Sequence, residues 1–391
     1  MRIAFATNPA LGHLLPLVPL AQAARDAGHD VVVVGGASLA GATRDAGLQH
    51  VVAGPPDLAA VFARVPEREG LAGRRLAAVI WSRAFAGVMA EAMAAAVLGL
   101  AGSWRPDLVV HEDSEQGSWI AAERLGVPSI TLEATAWRGT RFRLSDEPLN
   151  RLRAAHGLEV DPGLRRWHSL GFLTTRPPGL HDPTDPTPPG TRPIRPTAPD
   201  AGGGEAPWWP AGGTGRPRVV VTMGTLVPGR HEVLAAILEG LEALDVSIVA
   251  TLGHDLDPAV LGDRPDSTRV VRYVPIAPLL ETASLLVFHA GSGTMLAGLA
   301  AGVPLVVLPV NADQPVNAER CIAAGVARAL EPGRRGPADV RLAARSVLED
   351  DRYTTAARRL QAEIAAMPAP AEVLPGLEAL AARGTRASGE D

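Results

Sequence analysis

The chain has 391 residues, 47% of them hydrophobic, which is core material for two domains at ~150 residues each. Its formal net charge is −5, with acids and bases mixed along the sequence and no basic stripe with interleaved aromatics that would mark a nucleic-acid partner. A single cysteine, Cys321, excludes an internal disulfide and a thiolate metal cluster, and fits a reducing compartment. The apolar amino terminus lacks a basic n-region, and Asn8, Pro9, Gly12, His13 and Pro16 interrupt it. No later stretch offers ~20 consecutive apolar residues, so a cytoplasmic chain without membrane insertion is expected.

Arg2 to Thr7 reads as a short apolar strand and Asn8 to Gly12 as a turn. Leu14 to Ala27 has helical apolar spacing through Leu14, Val18 and Ala21, Gly28 closes that helix, and Val31 to Val34 is a second buried strand. Strand, loop, helix and strand within ~30 residues make a βαβ unit, and unbroken Val runs suit a parallel sheet covered on both faces. Trp81, Phe85 and Met89 recur at helical spacing, as a core stripe or a ligand wall would. Leu108 to Val110 is a strand, Gly117 to Arg124 a helix and Ser129 to Leu132 a strand, with Trp137 beyond its end.

From Arg176 to Pro217 proline and glycine accumulate, and the segment reads as a surface connection with one edge strand. Trp208 and Trp209 read as its packing anchors. The βα rhythm then restarts. Strands are expected at Arg218 to Thr222, Val246 to Ala250, Leu285 to Phe288 and Leu305 to Leu308, and helices from about His231, Thr294, Gln314 and Ala338. The fold class is α/β, with two doubly wound halves whose ligands sit at the carboxyl ends of the strands, in a cleft between the halves.

His289-Ala290-Gly291-Ser292-Gly293-Thr294 follows one of these strands and opens a helix. Glycines let the backbone approach a ligand, and the free N–H groups of a helix start, with its dipole, favour an anion. Ser292 and Thr294 add hydroxyls, and His289 can donate to a phosphate oxygen. On these six residues alone, a diphosphate cradle and an ordinary glycine-rich turn both stay open.

The longer run from Phe288 to Gln314, with Gly302-Val303-Pro304, Pro309 and Asp313-Gln314 at their spacing, resembles the signature of family 1 glycosyltransferases. It is nearest to the bacterial enzymes that glycosylate natural products. The resemblance extends to Pro9, Gly12-His13 and Pro16, to Pro106-Asp107 through Gly126-Val127-Pro128, to Thr222-Met223-Gly224-Thr225 and to Val274-Pro275. It implies a GT-B fold: two Rossmann-like domains facing a central cleft. Residues 1–205 would bind the acceptor, 206–217 would link, 218–367 would bind the donor, and 368–391 would hold a helix crossing back to the first domain.

The resemblance also implies roles. His13 becomes the general base, where position alone allows a histidine that merely fills its loop; imidazole suits the task because its pKa lies near working pH. Counting back from Gly126-Val127-Pro128, Glu112 falls where the family usually has the Asp that orients this histidine, with Asp113 one residue off register. His289 and the N–H groups from Gly291 to Thr294 would hold the diphosphate, helped by Gly224 and Thr225, while Asp313 and Gln314 would read sugar hydroxyls. Tyr273 and Val274 would grip the base, unless Tyr273 is core packing. Trp81, Phe85, Met89 and Trp137 would shape the acceptor cavity. Many members that use uridine donors carry Glu eight residues after the motif histidine; here Ala297 stands there, which points to a TDP-sugar, often a deoxysugar.

The expected reaction is an inverting transfer to a small apolar aglycone, with no cofactor and no metal. Asp255-Leu256-Asp257 imitates the metal-binding motif of another transferase fold, and His111-Glu112-Asp113 imitates a metal cluster whose neighbours cannot converge from one strand. A sugar-nucleotide epimerase or hydrolase of the same architecture, or a silent nucleotide-binding helper, would share the cradle. The oligomeric state stays open, a homodimer included.

Overall fold

A computed structural model describes residues 1–136, 139–167, 171–185, 187–197, 215–224, 230–253 and 256–387. The chain forms two units, the first from Met1–Thr175, Pro183–Asp200 and Met367–Asp391, the second from Arg176–Asp182 and Ala201–Ala366.

The first unit is built on strands β1 (Arg2–Ala6), β2 (Asp30–Gly35), β3 (Gln49–Val52), β4 (Leu108–Glu112), β5 (Ser129–Leu132), β6 (Phe172–Thr174) and β7 (Arg192–Pro193), ordered β3-β2-β1-β4-β5-β6-β7 and all parallel. Successive side chains of a strand point to opposite faces, and both faces are apolar here. Ile3, Phe5, Val31 and Val33 pack on one side with Leu14, Leu17 and Leu20. Ala4, Ala6, Val32 and Val34 pack on the other with Met89, Met93 and Val97.

The helix Pro370–Ala387 closes the first of these faces through Leu374, Leu377 and Ala381, and burying each leucine contributes about 1.5–3 kcal/mol. The helical stretch Arg75–Leu100 is long and apolar enough by composition to cross a membrane. Its Met89, Met93 and Val97 are core residues against the sheet, as in a buried helix of an α/β layer.

The second unit holds β8 (Arg218–Thr222), β9 (Ser247–Thr251), β10 (Thr268–Val271), β11 (Leu285–Phe288), β12 (Leu305–Val307) and β13 (Ala327–Ala329), ordered β10-β9-β8-β11-β12-β13 and again parallel. In each sheet the order reverses once, between β1 and β4 and between β8 and β11. Loops leaving two such strands diverge to opposite faces and leave a crevice at the strands' carboxyl ends.

Two expectations change. The helix expected over Leu14 to Ala27 is two helices, Leu11–Leu14 and Val18–Asp26, because Pro16 has no N–H to continue the ladder while Pro19 sits in the first turn of the second, where none is needed. His13 therefore lies on a single helical turn. Arg176–Asp182, expected in the first domain, groups with the second unit, where the Gly179 N–H donates to Glu363 Oε2 at 2.7 Å. The expected edge strand is present as β7, but residues 206–214 of the expected linker, Trp208 and Trp209 among them, lie outside the described residues.

Candidate active site

β1 and β4 are far apart in sequence but adjacent in the sheet, with Ala6 opposite His111. Their pairing brings the turn after β1 against the end of β4. There His13 Nδ1 lies 3.1 Å from Glu112 Oε1, with the Glu112 side chain fully buried and His13 15% exposed. Ser114 completes the group: its N–H donates to Glu112 Oε2 at 2.7 Å, and its hydroxyl lies 2.8 Å from the same oxygen and 3.0 Å from His13 Nδ1. Asn8 donates its N–H to Glu112 Oε1 and its side-chain amide to Ser114 Oγ.

Burial alone would raise the Glu112 carboxyl; the His13 imidazole and the Ser114 donors more than reverse it and hold Glu112 below its ordinary range. A buried, ionised acceptor on Nδ1 draws that nitrogen's proton and leaves the lone pair on Nε2, the arrangement a general base needs. Serine at position 114 carried no signal in the sequence that would have singled it out.

Asp113 does not join His13. Neighbouring residues of an extended chain face opposite sides, and Asp113 turns to the β5 end, where Oδ1 accepts the N–H groups of Ala134 (2.9 Å) and Thr135 (3.0 Å) and Oδ2 accepts the Thr135 hydroxyl. Burial, with Glu112 and Glu133 nearby, pushes Asp113 up to about 6. His111 is buried too. Its Nδ1 meets the Glu115 carbonyl at 2.9 Å, its ring stacks near Trp167, and burial lowers it to about 4. Glu115 caps the helix Gly117–Leu125 through the N–H groups of Gly117 and Ser118, and burial raises it to about 7. The three side chains of His111-Glu112-Asp113 thus serve three separate groups of neighbours.

The four aromatic and sulfur candidates for the acceptor wall separate. Phe85 is partly buried, and its ring centroid lies 6.2 Å from that of His13. Trp81 meets Phe85 edge-on at 5.8 Å. Met89 is wholly buried in the core against β1 and β2, so helical spacing put a core residue on the proposed wall. Trp137 lies outside the described residues.

In the second unit the β8–β11 pairing, with Phe288 opposite Thr222, brings Gly224 to His289. A Cβ on Gly224 would stand 2.7 Å from His289 Cε1, and one on Gly291 would stand 2.4 Å from Nε2, so both glycines make room for the imidazole. The left-handed backbone in this loop falls on Ala290 (φ 67°), not on Gly291. A second non-glycine, Ala312 (φ 55°), precedes Asp313. Such conformations cost on the order of 1 kcal/mol and persist where neighbours over-determine them; Ala290 is held by Asn317, whose side-chain amide donates to its carbonyl at 2.8 Å.

The helix Ser292–Ala300 opens without a side-chain cap, so the N–H groups of its first turn face outward at the dipole's positive end. Ala297 lies on this helix, half-buried. Burial pushes His289 below its ordinary range against the opposing pull of Asp313 and the Thr222 backbone, which keeps the ring neutral at neutral pH. Tyr273 is 54% exposed, which excludes the core reading, and Val274 beside it is half-buried. Thr225 and Asp255 lie outside the described residues; Asp257 caps its own turn at Ala259 and pairs with Arg272.

Two expected sugar readers differ. Gln314 is buried and its amide closes its own loop, accepting from Val310 N–H at 2.8 Å and reaching Asn311 Oδ1, so it is a loop clasp. Asp313 remains partly exposed, with Oδ2 accepting from Ser292 Oγ (2.5 Å) and Asn317 Nδ2 (3.0 Å).

Two doubly wound parallel sheets, each with a histidine at its switch point, define the architecture of a GT-B glycosyltransferase. Residues 22–153 match the N-terminal domain, and 235–380 the C-terminal domain, of the family described as erythromycin biosynthesis protein CIII-like. The chain is 32% identical to an L-demethylnoviosyl transferase of Streptomyces niveus, over 97% of this chain and 98% of that protein. Among solved structures it resembles the glycosyltransferase SnogD of Streptomyces nogalater, at 33% identity and a TM-score of 0.76, over 97% of this chain and 99% of that one. It also resembles the spinosyn rhamnosyltransferase SpnG complexed with thymidine diphosphate, at 27% identity and a TM-score of 0.80, over 97% and 100% of the two chains. The chain belongs to this family of bacterial natural-product glycosyltransferases and is a glycosyltransferase.

Proposed function

We propose that this enzyme moves a deoxysugar from a thymidine diphosphate donor to a hydroxyl of a small, largely apolar aglycone, with inversion at the anomeric carbon. The observation that carries the reading is the bond between His13 Nδ1 and the buried Glu112 carboxylate. It leaves Nε2 to take the proton of the acceptor hydroxyl while that oxygen bonds to the anomeric carbon. The bond from that carbon to the diphosphate breaks, and its electrons leave with the diphosphate. Glu112 stabilises the imidazolium that forms.

The leaving charge is met by the His289 imidazole and the N–H groups at the start of the helix Ser292–Ala300, so the reading assigns no metal. Ala297 stands where a carboxylate would hold a ribose 2′-hydroxyl, and the thymidine diphosphate bound to SpnG supports the same donor base. Phe85 beside His13 supports an apolar acceptor.

The test supplies TDP-sugars with a panel of aglycones and follows released TDP and the product's configuration. Acceptor-dependent release, an inverted linkage, indifference to chelator and tighter calorimetric binding of TDP than of UDP are expected. A retained linkage would overturn the single displacement, epimerisation without acceptor would overturn transfer, and equal affinity for TDP and UDP would remove the argument from Ala297.

A further inference from the structure

Ser292 stands in the glycine loop where a hydroxyl is expected to meet the donor's phosphates, yet its side chain is turned elsewhere. Arg176, 2% exposed and a member of the second unit, donates from Nη2 to Ser292 Oγ at 3.0 Å. Ser292 Oγ in turn lies 2.5 Å from Asp313 Oδ2. The polarity of this chain is set by chemistry: a guanidinium can only donate and a carboxylate can only accept, so the serine proton points to Asp313. Asn317 Nδ2 adds a donor to the same carboxylate oxygen at 3.0 Å and lies 3.1 Å from Ser292 Oγ.

Burying a guanidinium is costly unless it is paired and bonded, so packing alone is a poor reason for Arg176 at this place. With Oδ2 engaged twice, the Asp313 rotamer is set, and Oδ1 accepts no hydrogen bond from the described residues. Asp313 is partly exposed, so this oxygen can meet a ligand hydroxyl.

We infer that Arg176 and Ser292 are positioning residues that hold Asp313 for the donor's sugar, and that the Ser292 hydroxyl is not a phosphate ligand. This rests on the donor reading of the second unit. The two assignments of Ser292 make opposite demands on two probes, TDP and TDP-glucose. In the positioning role, Ser292→Ala keeps TDP affinity within about twofold and lowers TDP-glucose affinity roughly tenfold, the worth of one charge-assisted hydrogen bond. A parallel fall for both probes returns Ser292 to the phosphate, and unchanged binding of both removes the role; either overturns the inference.

Arg176→Gln should reproduce the Ser292→Ala pattern and Arg176→Lys should restore most of the loss, where a purely structural arginine would move both probes together or neither. Thermal unfolding of each variant checks that it is folded, and the serine variant stands alone should the arginine variants fail to fold. His289→Ala in the same titrations tests the underlying reading: if TDP affinity survives that change, the donor assignment fails whatever the serine variant does.

Discussion

Each unit carries a histidine where its strand order reverses, His13 after β1 and His289 after β11, so the two sit on opposite strands of their switch pairs and have different neighbours. His13 faces a buried carboxylate that the imidazole itself and the Ser114 donors hold below its ordinary range, with the Asn8 N–H donating to the same group. His289 is wrapped by Gly224 and Gly291 and desolvated, and its acidic neighbour Asp313 is bonded to Ser292 and Asn317. In the proposed reaction one ring gains a proton, and the other stays neutral and offers a hydrogen bond. Strand order brings each histidine to the crevice of its own sheet, and in the proposed function the residue beside each ring, not the histidine itself, sets the role.

The sharpest way to break this contrast is to remove each ring. His13→Ala should lose on the order of 10²–10⁴-fold in turnover while TDP affinity stays level, checked by product formation and by calorimetry. Near-normal turnover with a hydroxyl acceptor would refute the base. Glu112→Gln keeps the shape but removes the charge, so turnover should fall on the order of 10²-fold, with a shifted pH–rate profile. His289→Ala should weaken TDP binding about tenfold, since one donor to a charged group is lost; equal binding would overturn the donor reading of the second unit.

The smallest effect concerns the acids under the His13 site. Glu115 is raised to about 7 in the folded chain from an ordinary value near 4.5. Between those values the folded state binds more protons than the unfolded one, so Glu115 costs stability as pH rises through that window. Glu115→Gln keeps an acceptor for the Gly117 and Ser118 N–H groups without the charge. Its advantage in Tm over the parent should widen from pH 4.5 to 7 and level off above, reaching roughly 2–4 °C per kcal/mol gained. A gap independent of pH would mean that Glu115 does not titrate there.

Much of this was readable from residues in order. The βα rhythm, the strands rich in valine and the glycine loop at His289 express local periodicity or local backbone freedom, while the helix after Pro368 follows from the family resemblance, and the structure forms them at or near those positions. The strands Gln49–Val52, Thr268–Val271 and Ala327–Ala329 were not legible, because they are short and all three sit at sheet edges with few buried residues. Met89 misled because spacing reports which face of a helix a residue shares, not whether that face meets the sheet or a ligand.

By itself the sequence determined the alternation of strands and helices in two halves, the glycine loop and the places of the two histidines, since each depends on neighbours within a few residues. Only the tertiary structure decided that Glu112 and not Asp113 meets His13, because that choice depends on the pairing of β1 with β4 and on which side an extended residue faces. Only it decided that Gln314 closes its own loop, and that Arg176, 116 residues before Ser292, turns the serine toward Asp313. Hydrogen bonds of that span arise from strand order and side-chain direction, and neither is written in the spacing of residues along the chain.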